Sequence, residues 1–327
     1  MLKRKQCHLG VIFSVLFIFI SAGWVERVHA QDKYPTRAIQ LIVPYAPGGA
    51  VDVTARQVAN YLKIKWGVPV NIVSKPGGRG IPAILDVYQS TPDGYTMLMD
   101  DSASSAMLAA SAGTTKDIPF EVMDRTFVAV VNATPLVIFI PSTYPFTNFK
   151  NFIEEAKKNT TNILYTAGPS ALEYAVRQFF SATGVDISKA KAVMCKGAAE
   201  AVLLAAGGNV TIGAAAVGTT LPALKAETIR PLLISSKDRF PDLPNLPSSA
   251  ELGYPEVNAM NWNGVSGPPK LPAYIVNIWD KSIQEMLGDP EFMSQLKKTG
   301  SISFYHNGKA MDDLVRKQTE QAIKLFR

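Results

Sequence analysis

The stretch Ile39 to Arg56, IQLIVPYAPGGAVDVTAR, constrains the fold more than any other part of the chain. Ile39 to Val43 is apolar, largely β-branched and too short for a helix, so it reads as a buried strand. Pro44, Tyr45, Ala46, Pro47, Gly48 and Gly49 then break regular structure. Asp52 stands where an N-cap belongs, with Val53, Thr54 and Ala55 in the first turn of the helix that follows. Gly48 and Gly49 leave their amides open to close approach. A helix start adds unpaired N–H donors and the positive end of the dipole. Such a unit suits a carboxylate or a phosphate; it is equally an ordinary strand-to-helix turn whose glycines serve geometry. No Gly-Lys-Ser/Thr follows and the G-x-G-x-x-G spacing is absent, so neither nucleotide-binding fingerprint applies.

The first thirty residues have a different character. Lys3, Arg4 and Lys5 precede an apolar run from Leu9 to Ala22, and Val28-His29-Ala30 supplies a small-residue cleavage site. This is the pattern of a secretory signal peptide cleaved after Ala30, with an apolar run too short to span a membrane. Loss of Lys3, Arg4, Lys5 and Arg27 against Glu26 lowers the formal charge from +6 to +3. With no Lys/Arg cluster interleaved with aromatics, nucleic acid is not an expected partner. Cys7 leaves with the leader, so Cys195 remains alone and no internal disulfide can form. The expected product is an exported, monomeric protein without a cofactor.

From Asp32 onward strands and helices alternate, which predicts an α/β fold with mainly parallel sheets. Expected elements are strands at Ile39–Val43, Val70–Val73 and Tyr95–Met99 with helices at Asp52–Lys65 and Ala83–Gln89. Two strands follow, Phe127–Val131 and Leu136–Ile140, separated by Asn132 to Pro135. A second alternation then begins: helices at Phe149–Lys158, Ser170–Thr183, Ala198–Ala206 and Thr219–Ala226, strands at Asn162–Tyr165, Ala192–Met194, Val210–Ala214 and Arg230–Ile234. This predicts a second α/β domain, residues 132–235, inserted between 31–131 and 236–327. A last strand at Asn261–Ser266 and helices at Pro272–Leu287 and Lys309–Phe326 are assigned to the first domain. In such folds ligands sit beyond the carboxyl ends of the strands.

Ordered landmarks run through the mature chain. They are Tyr34-Pro35, Val43-Pro44-Tyr45, Pro47-Gly48-Gly49-Ala50-Val51-Asp52, Ala55-Arg56 and Lys75-Pro76-Gly77 with Gly80. Pro92-Asp93-Gly94-Tyr95-Thr96, Lys196-Gly197, Gly207-Gly208, Pro247 to Gly253, and Trp262 with Gly264 follow. On these the chain resembles the Bug family, the periplasmic solute receptors of tripartite tricarboxylate transporters. The resemblance implies a periplasmic binding protein type II-like fold, two α/β domains joined by crossover hinge strands, closing on a small carboxylate for delivery to a membrane permease. It implies that Tyr45, Pro47, Gly48, Gly49, Ala50 and Asp52 form the loop that grips one carboxylate. It places Asp101, Ser102, Ser104 and Ser105 in a second loop of the same domain. Thr166, Gly168 and Ser170 fall in a third loop, and Ala216 in a fourth, both across the cleft. Hinges are implied near Val130–Asn132 and Ile234–Ser236.

Departures from the family pattern bear on the ligand. The second loop has Ser104-Ser105 and Leu108-Ala109 where Thr-His and Asn-Pro are frequent. The fourth has Ala215-Ala216 where Asp-Asn is frequent, and Cys195 takes the place of a Tyr. Polar anchors are thus replaced on the far side of the cleft, which points to a ligand with one carboxylate end and an apolar or aromatic body. Asp52 is expected to shape its loop as an N-cap, since a carboxylate facing the ligand's carboxylate repels it. Asp100-Asp101 has no further carboxylate or His to complete a metal site. Cys195 reads as a small core residue. An enzyme is poorly supplied: Gly168-Pro169-Ser170 is not a G-x-S-x-G elbow, and His306 is the one histidine beyond the leader. A receptor that signals to a membrane sensor is the nearer alternative.

Overall fold

The computed structural model describes residues 33–112, 118–146, 148–167 and 170–326. The expected leader and cleavage site, and Gly168, lie outside the described residues. The chain divides into Met1–Thr36 and Arg37–Arg327, and the architecture below is that of the second unit.

Its first strand, β1 (Ile39–Val43), buries Ile39, Leu41, Ile42 and Val43 and leaves Gln40 outside. Helix α1 (Ala50–Trp66) starts two residues before the sequence expectation. Its buried apolar face is accordingly Val51, Ala55, Val58 and Leu62, with Val53 turned partly out. Strand β2 (Val70–Ser74), helix α2 (Ile81–Tyr88) and strand β3 (Thr96–Asp101) follow. β1 pairs in parallel with both β2 and β3. After β3 the chain makes a π-helical turn, Ala103–Met107, running into the short helix α3 (Leu108–Ala112).

Strand β4 (Thr126–Pro141) is one sixteen-residue element, where two strands were expected. Asn132, Ala133, Thr134 and Pro135 do not interrupt it because they pair with Asn263, Trp262, Asn261 and Met260 of β9 (Met260–Gly267). Pro135 brings no N–H, and it stands where β4 changes partners, the one place where a missing ladder donor costs least. From Leu136 on, β4 runs between β7 (Gly213–Ala216) and β8 (Ile229–Ile234). Ser235 ties the changeover together. Its amide donates to Leu136 O at 2.8 Å, and its hydroxyl accepts from Leu136 N at 3.0 Å and donates to Ala259 O at 2.6 Å.

The second half of the chain carries α4 (Phe149–Lys158), β5 (Leu164–Ala167), α5 (Ser170–Thr183), β6 (Lys191–Met194), α6 (Ala198–Ala206) and α7 (Val217–Lys225). β5 and β6 pair in parallel. Thr166 N donates to Ile212 O at 3.1 Å, joining that pair to the segment entering β7. Two sheets therefore share β4: β10 (Ile302–Asn307), β4, β9, β3, β1 and β2, in that order, along its first half, and β7 and β8 flanking its second.

Three C-terminal elements follow α8 (Ala273–Leu287): α9 (Pro290–Lys298), β10 (Ile302–Asn307) and α10 (Gly308–Phe326). α9 and β10 were not anticipated. Asp289-Pro290-Glu291 nonetheless carries a helix-start signal, and Asp289 caps α9 by accepting from the amides of Glu291 and Phe292. β10 is a half-buried edge strand pairing antiparallel with β4. Helix α10 packs on the first sheet through Met311 and Val315 and a Trp262 Nε1 to Gln318 Oε1 bond of 2.8 Å. It then continues past that sheet. Tyr174 of α5 donates to Gln321 at 2.8 Å, and Arg177 donates to Leu325 O at 2.9 Å with its guanidinium over Phe326. Phe127, Val130, Ala133, Leu136, Ile138 and Ile140 of β4 belong to one buried cluster with Phe152, Phe179, Phe180, Trp262, Met311 and Val315, whereas Val137 and Phe139 belong to a second cluster with Val202, Val210 and Phe240.

Candidate functional site

The loop after β1 is built differently from its sequence reading. Gly49, with φ −76° and ψ 167°, is the N-cap of α1 and supplies no side chain. Asp52 is the third residue of the helix and reaches back. Its carboxylate accepts from Gly48 N at 2.9 Å and from Arg56 Nε and Nη2 at 2.8 and 3.0 Å. The Arg56 hydrogen bond holds the Asp52 carboxyl below its ordinary value; burial opposes it and the Gly48 amide helps. One turn is thus closed by a carboxylate inside the protein, and the Gly48 amide is used in closing it. The amides of Gly49, Ala50 and Val51 lie ahead of the first helical bond, Val53 N to Gly49 O at 2.9 Å. They have no intrahelical acceptor. Pro47, Gly48, Gly49 and Ala50 are exposed and Tyr45 is half-buried.

The loop after β3 holds a buried polar network. Asp100 Oδ1 accepts from Ser104 Oγ at 2.7 Å, Ser105 Oγ at 2.8 Å and Asp101 N at 2.9 Å. Its other oxygen lies 3.2 Å from Arg125 Nη1, both side chains being fully buried. Arg125 also donates to Ser105 Oγ at 2.7 Å, Ser104 O at 3.3 Å and Val122 O at 3.2 Å. The hydroxyls of Ser104 and Ser105 therefore point into the protein and serve Asp100. Ser102 is buried too, donating to Asn261 Oδ1 at 3.1 Å.

Asp101 faces the first loop. Its carboxylate accepts from Tyr45 Oη at 3.0 and 3.1 Å and from Ser104 N at 2.9 Å. Burial pushes the Asp101 carboxyl up to about 6, with the Asp100 charge adding to the rise and the Ser104 and Tyr45 hydrogen bonds holding it back. The Tyr45 phenol is raised well above its ordinary value, by burial first and then by the charge of Asp101. Tyr45, Asp101 and Ser104 are thereby brought together from two loops.

The remaining predicted positions lie on β5, α5 and β7. Thr166 is fully buried, its hydroxyl accepting from Ala214 N at 3.4 Å. Ser170 opens α5. Ala216 is half-buried at the end of β7, next to the fully buried Ala214 and Ala215. Among the described residues no hydrogen bond joins this group to Tyr45 or Asp101. Cys195 is a buried core thiol, its titration pushed up chiefly by burial. Trp262 is wholly buried and bonded to Gln318. Glu173 is paired with Arg177 in the same helix. Among the described residues no three His, Cys, Asp or Glu side chains gather into a metal site, and no helix is long and apolar enough to cross a membrane.

Sequence reasoning passed over Arg125, Thr54 and Asn263, and took Asn132 only as part of an implied hinge. Asn132 Nδ2 donates to Thr54 Oγ1 at 3.1 Å and Asn263 Nδ2 donates to Asn132 Oδ1 at 2.8 Å. This pins α1 to β4 and β9 close to the changeover at Pro135. The signal available was an asparagine set in the apolar run Phe127 to Ile140.

Comparisons with known proteins bear on the fold and the family. BugT of Bordetella pertussis is 31% identical over 279 residues, 84% of each chain. The solved periplasmic binding protein BugD superposes with a TM-score of 0.71 at 26% identity, covering 90% of this chain and 97% of that one. An R. palustris protein solved with adipate gives 0.75 at 25% identity, with 90% and 97% coverage. The expected fold class holds: α/β, of the binding-protein type with two α/β domains. The sequence matches the family described as "Tripartite tricarboxylate transporter family receptor" over residues 54–327, and the chain belongs to that family.

Proposed function

We propose that this chain is an exported solute-binding protein that captures a small carboxylate and delivers it to the permease of a tripartite tricarboxylate-type transporter. The observation that carries the reading is the run of amides Gly49, Ala50 and Val51 at the start of a seventeen-residue helix. They aim donors and the positive end of the helix dipole at one place, and Tyr45 of the same loop is bonded to Asp101. The adipate bound to the R. palustris relative is a carboxylate of the size intended. The capturing cleft lies between residues 132–235 and the rest of the chain. Closure turns on the changeover at Pro135–Leu136 and on Ser235, the two places where the chain passes from one sheet to the other. The amides of Gly49, Ala50 and Val51 hold the carboxylate end; Thr166, Gly168, Ser170 and Ala216 border the far end, where the half-buried Ala216 offers a methyl group. The ligand therefore has an apolar or aromatic body, and the protein works as a monomer in the periplasm.

A thermal-shift screen of the mature protein tests this. Aliphatic and aromatic mono- and dicarboxylates are expected to raise the melting temperature, since a ligand that binds only the folded state stabilises it by mass action. A panel without a single shift sinks the carboxylate reading. Citrate binding far more tightly than aromatic or long aliphatic acids sinks the apolar body.

A further inference from the structure

Asp101 is 3% exposed, and no cationic side chain is paired with it among the described residues. The groups that face it come from each neighbouring element. The loop after β1 contributes the Tyr45 phenol. Its own strand contributes Asp100, and the π-helical turn the Ser104 amide. Its ladder partner on β9 is Asn263, which is neutral. Arg125 lies against Asp100 at 3.2 Å, so that charge pair is internally balanced and leaves Asp101 as the uncompensated one.

Tyr45 links this charge to the anion-receiving turn. It bonds Asp101 through its side chain, and its backbone stands three residues before Gly48. β1 and β3 are parallel neighbours, so their loops leave the same edge of the sheet, and Thr54 of α1 is 3.4 Å from Asn263, the ladder partner of Asp101; an anion held by the Gly49 to Val51 amides therefore arrives on the side where the unpaired carboxylate stands. Two like charges that share a poorly solvated site do not both stay ionised cheaply, and the less costly outcome is that one gains a proton. A ligand carboxylate held by backbone N–H donors is stabilised in its ionised form, so the proton goes to Asp101. The neutral acid then has an O–H to donate, where the carboxylate could only accept.

We propose that capture of the ligand carboxylate is coupled to uptake of one proton from solvent by Asp101, which turns it from a repelling charge into a hydrogen-bond donor beside the bound anion. This rests on the carboxylate reading above. Asp101, already pushed up to about 6 in the free protein, needs only a modest further rise to be protonated near neutral pH. The sign follows from linkage: binding tightens as pH falls, by up to tenfold per pH unit between the free and bound titration points, and levels off outside them.

The test is calorimetric titration of the mature protein with adipate, hexanoate or benzoate, whichever gives the largest thermal shift, between about pH 6.5 and 8.5, where all three are ionised. Two buffers of different ionisation enthalpy report the protons exchanged. Expected results are affinity that weakens several-fold per pH unit and a net uptake approaching one proton. Asp101→Asn is expected to flatten the profile and abolish the uptake. A wild-type affinity that is flat across the range, or uptake near zero, overturns the inference while leaving carboxylate binding intact. A slope that survives Asp101→Asn in a folded variant overturns it as well. Absence of heat with every carboxylate at every pH overturns the carboxylate reading and this inference together. The wild-type measurement stands even if the variant fails to fold.

Discussion

The phenol of Tyr45 donates to both carboxylate oxygens of Asp101, at 3.0 and 3.1 Å, and so ties the turn after β1 to the turn after β3. The bond matters most when Asp101 is charged, because a charge-assisted bond is roughly twice as strong as a neutral one. Tyr45→Phe is therefore expected to cost about 1–2 kcal/mol of unfolding free energy near pH 7.5. The loss should shrink near pH 5, where the Asp101 carboxyl is already neutral. Urea unfolding at the two pH values measures this. An equal loss at both means that the ring's packing, and not the charge of Asp101, sets the energetics.

Asp101 itself opposes folding at neutral pH. Its folded-state carboxyl titrates at about 6 against an ordinary 3.8, so between those values the folded state binds more protons than the unfolded one. Stability then rises as pH falls through about 6, and the gain is complete below about 4. The shift corresponds to on the order of 2–3 kcal/mol. Asp101→Asn removes the charge and keeps the shape. The variant is expected to gain on the wild type at pH 7.5 and to lose most of that advantage by pH 4.5. Melting temperatures of both proteins across that range, without ligand, decide the matter. Parallel curves would mean that the carboxyl is well compensated after all.

Strands and helices bounded by strong punctuation were legible in the sequence. β1 ends at Pro44, α4 begins at the capping Asn148, and α6 lies between Gly197 and Gly207; all three fall where the sequence placed them. Local signals failed where partners far along the chain decide. Asn132 to Pro135 reads as a break, yet β9 carries β4 through it. Ser104 and Ser105 read as members of a ligand loop, yet the buried Asp100 takes both hydroxyls. Nothing near Arg125 announces that it lies against Asp100, twenty-five residues earlier. The anion-friendly turn was visible because its chemistry is main-chain and therefore local. The charge beside it was not, because Asp101 gains its meaning from burial and from Tyr45.

Asp52 has the opposite pH behaviour to Asp101. Its carboxyl is held low, first by the Arg56 hydrogen bond, so its contribution is present above an ordinary carboxylate value and is lost as pH falls through its lowered one. Asp52→Ala removes the acceptor for Gly48 N and is expected to cost about 1 kcal/mol at pH 7, the usual cost of a lost helix-start hydrogen bond. Arg56→Ala should cost less, since more than half of that side chain is exposed and its charge is screened. Denaturant unfolding of both variants at 0.15 and 1 M salt tests the ranking. A loss from Arg56→Ala that matches Asp52→Ala would mean that the ion pair, not the Gly48 bond, closes the turn.

Gly48 and Gly49 are adjacent, yet they should respond differently to a side chain. Gly48 has φ +88°, which L-residues rarely adopt, and its amide is committed to Asp52. Gly49 has φ −76° and ψ 167°, an ordinary extended conformation. A Cβ there meets only Ala46 O, at 3.7 Å. Gly48→Val is expected to lower stability by about 1–2 kcal/mol through backbone strain. Gly49→Val should leave the melting temperature of the ligand-free protein nearly unchanged. Its isopropyl group would nonetheless stand over the amides of Gly49 and Ala50, where a carboxylate has to approach to within hydrogen-bond distance. Affinity for a carboxylate that shifts the wild type should fall at least tenfold in Gly49→Val. Wild-type affinity in that variant would place the anion elsewhere and end the case for the α1 amides. A fall in stability as large as that of Gly48→Val would show that the turn needs its second glycine for shape, which leaves the turn without its claim on a ligand.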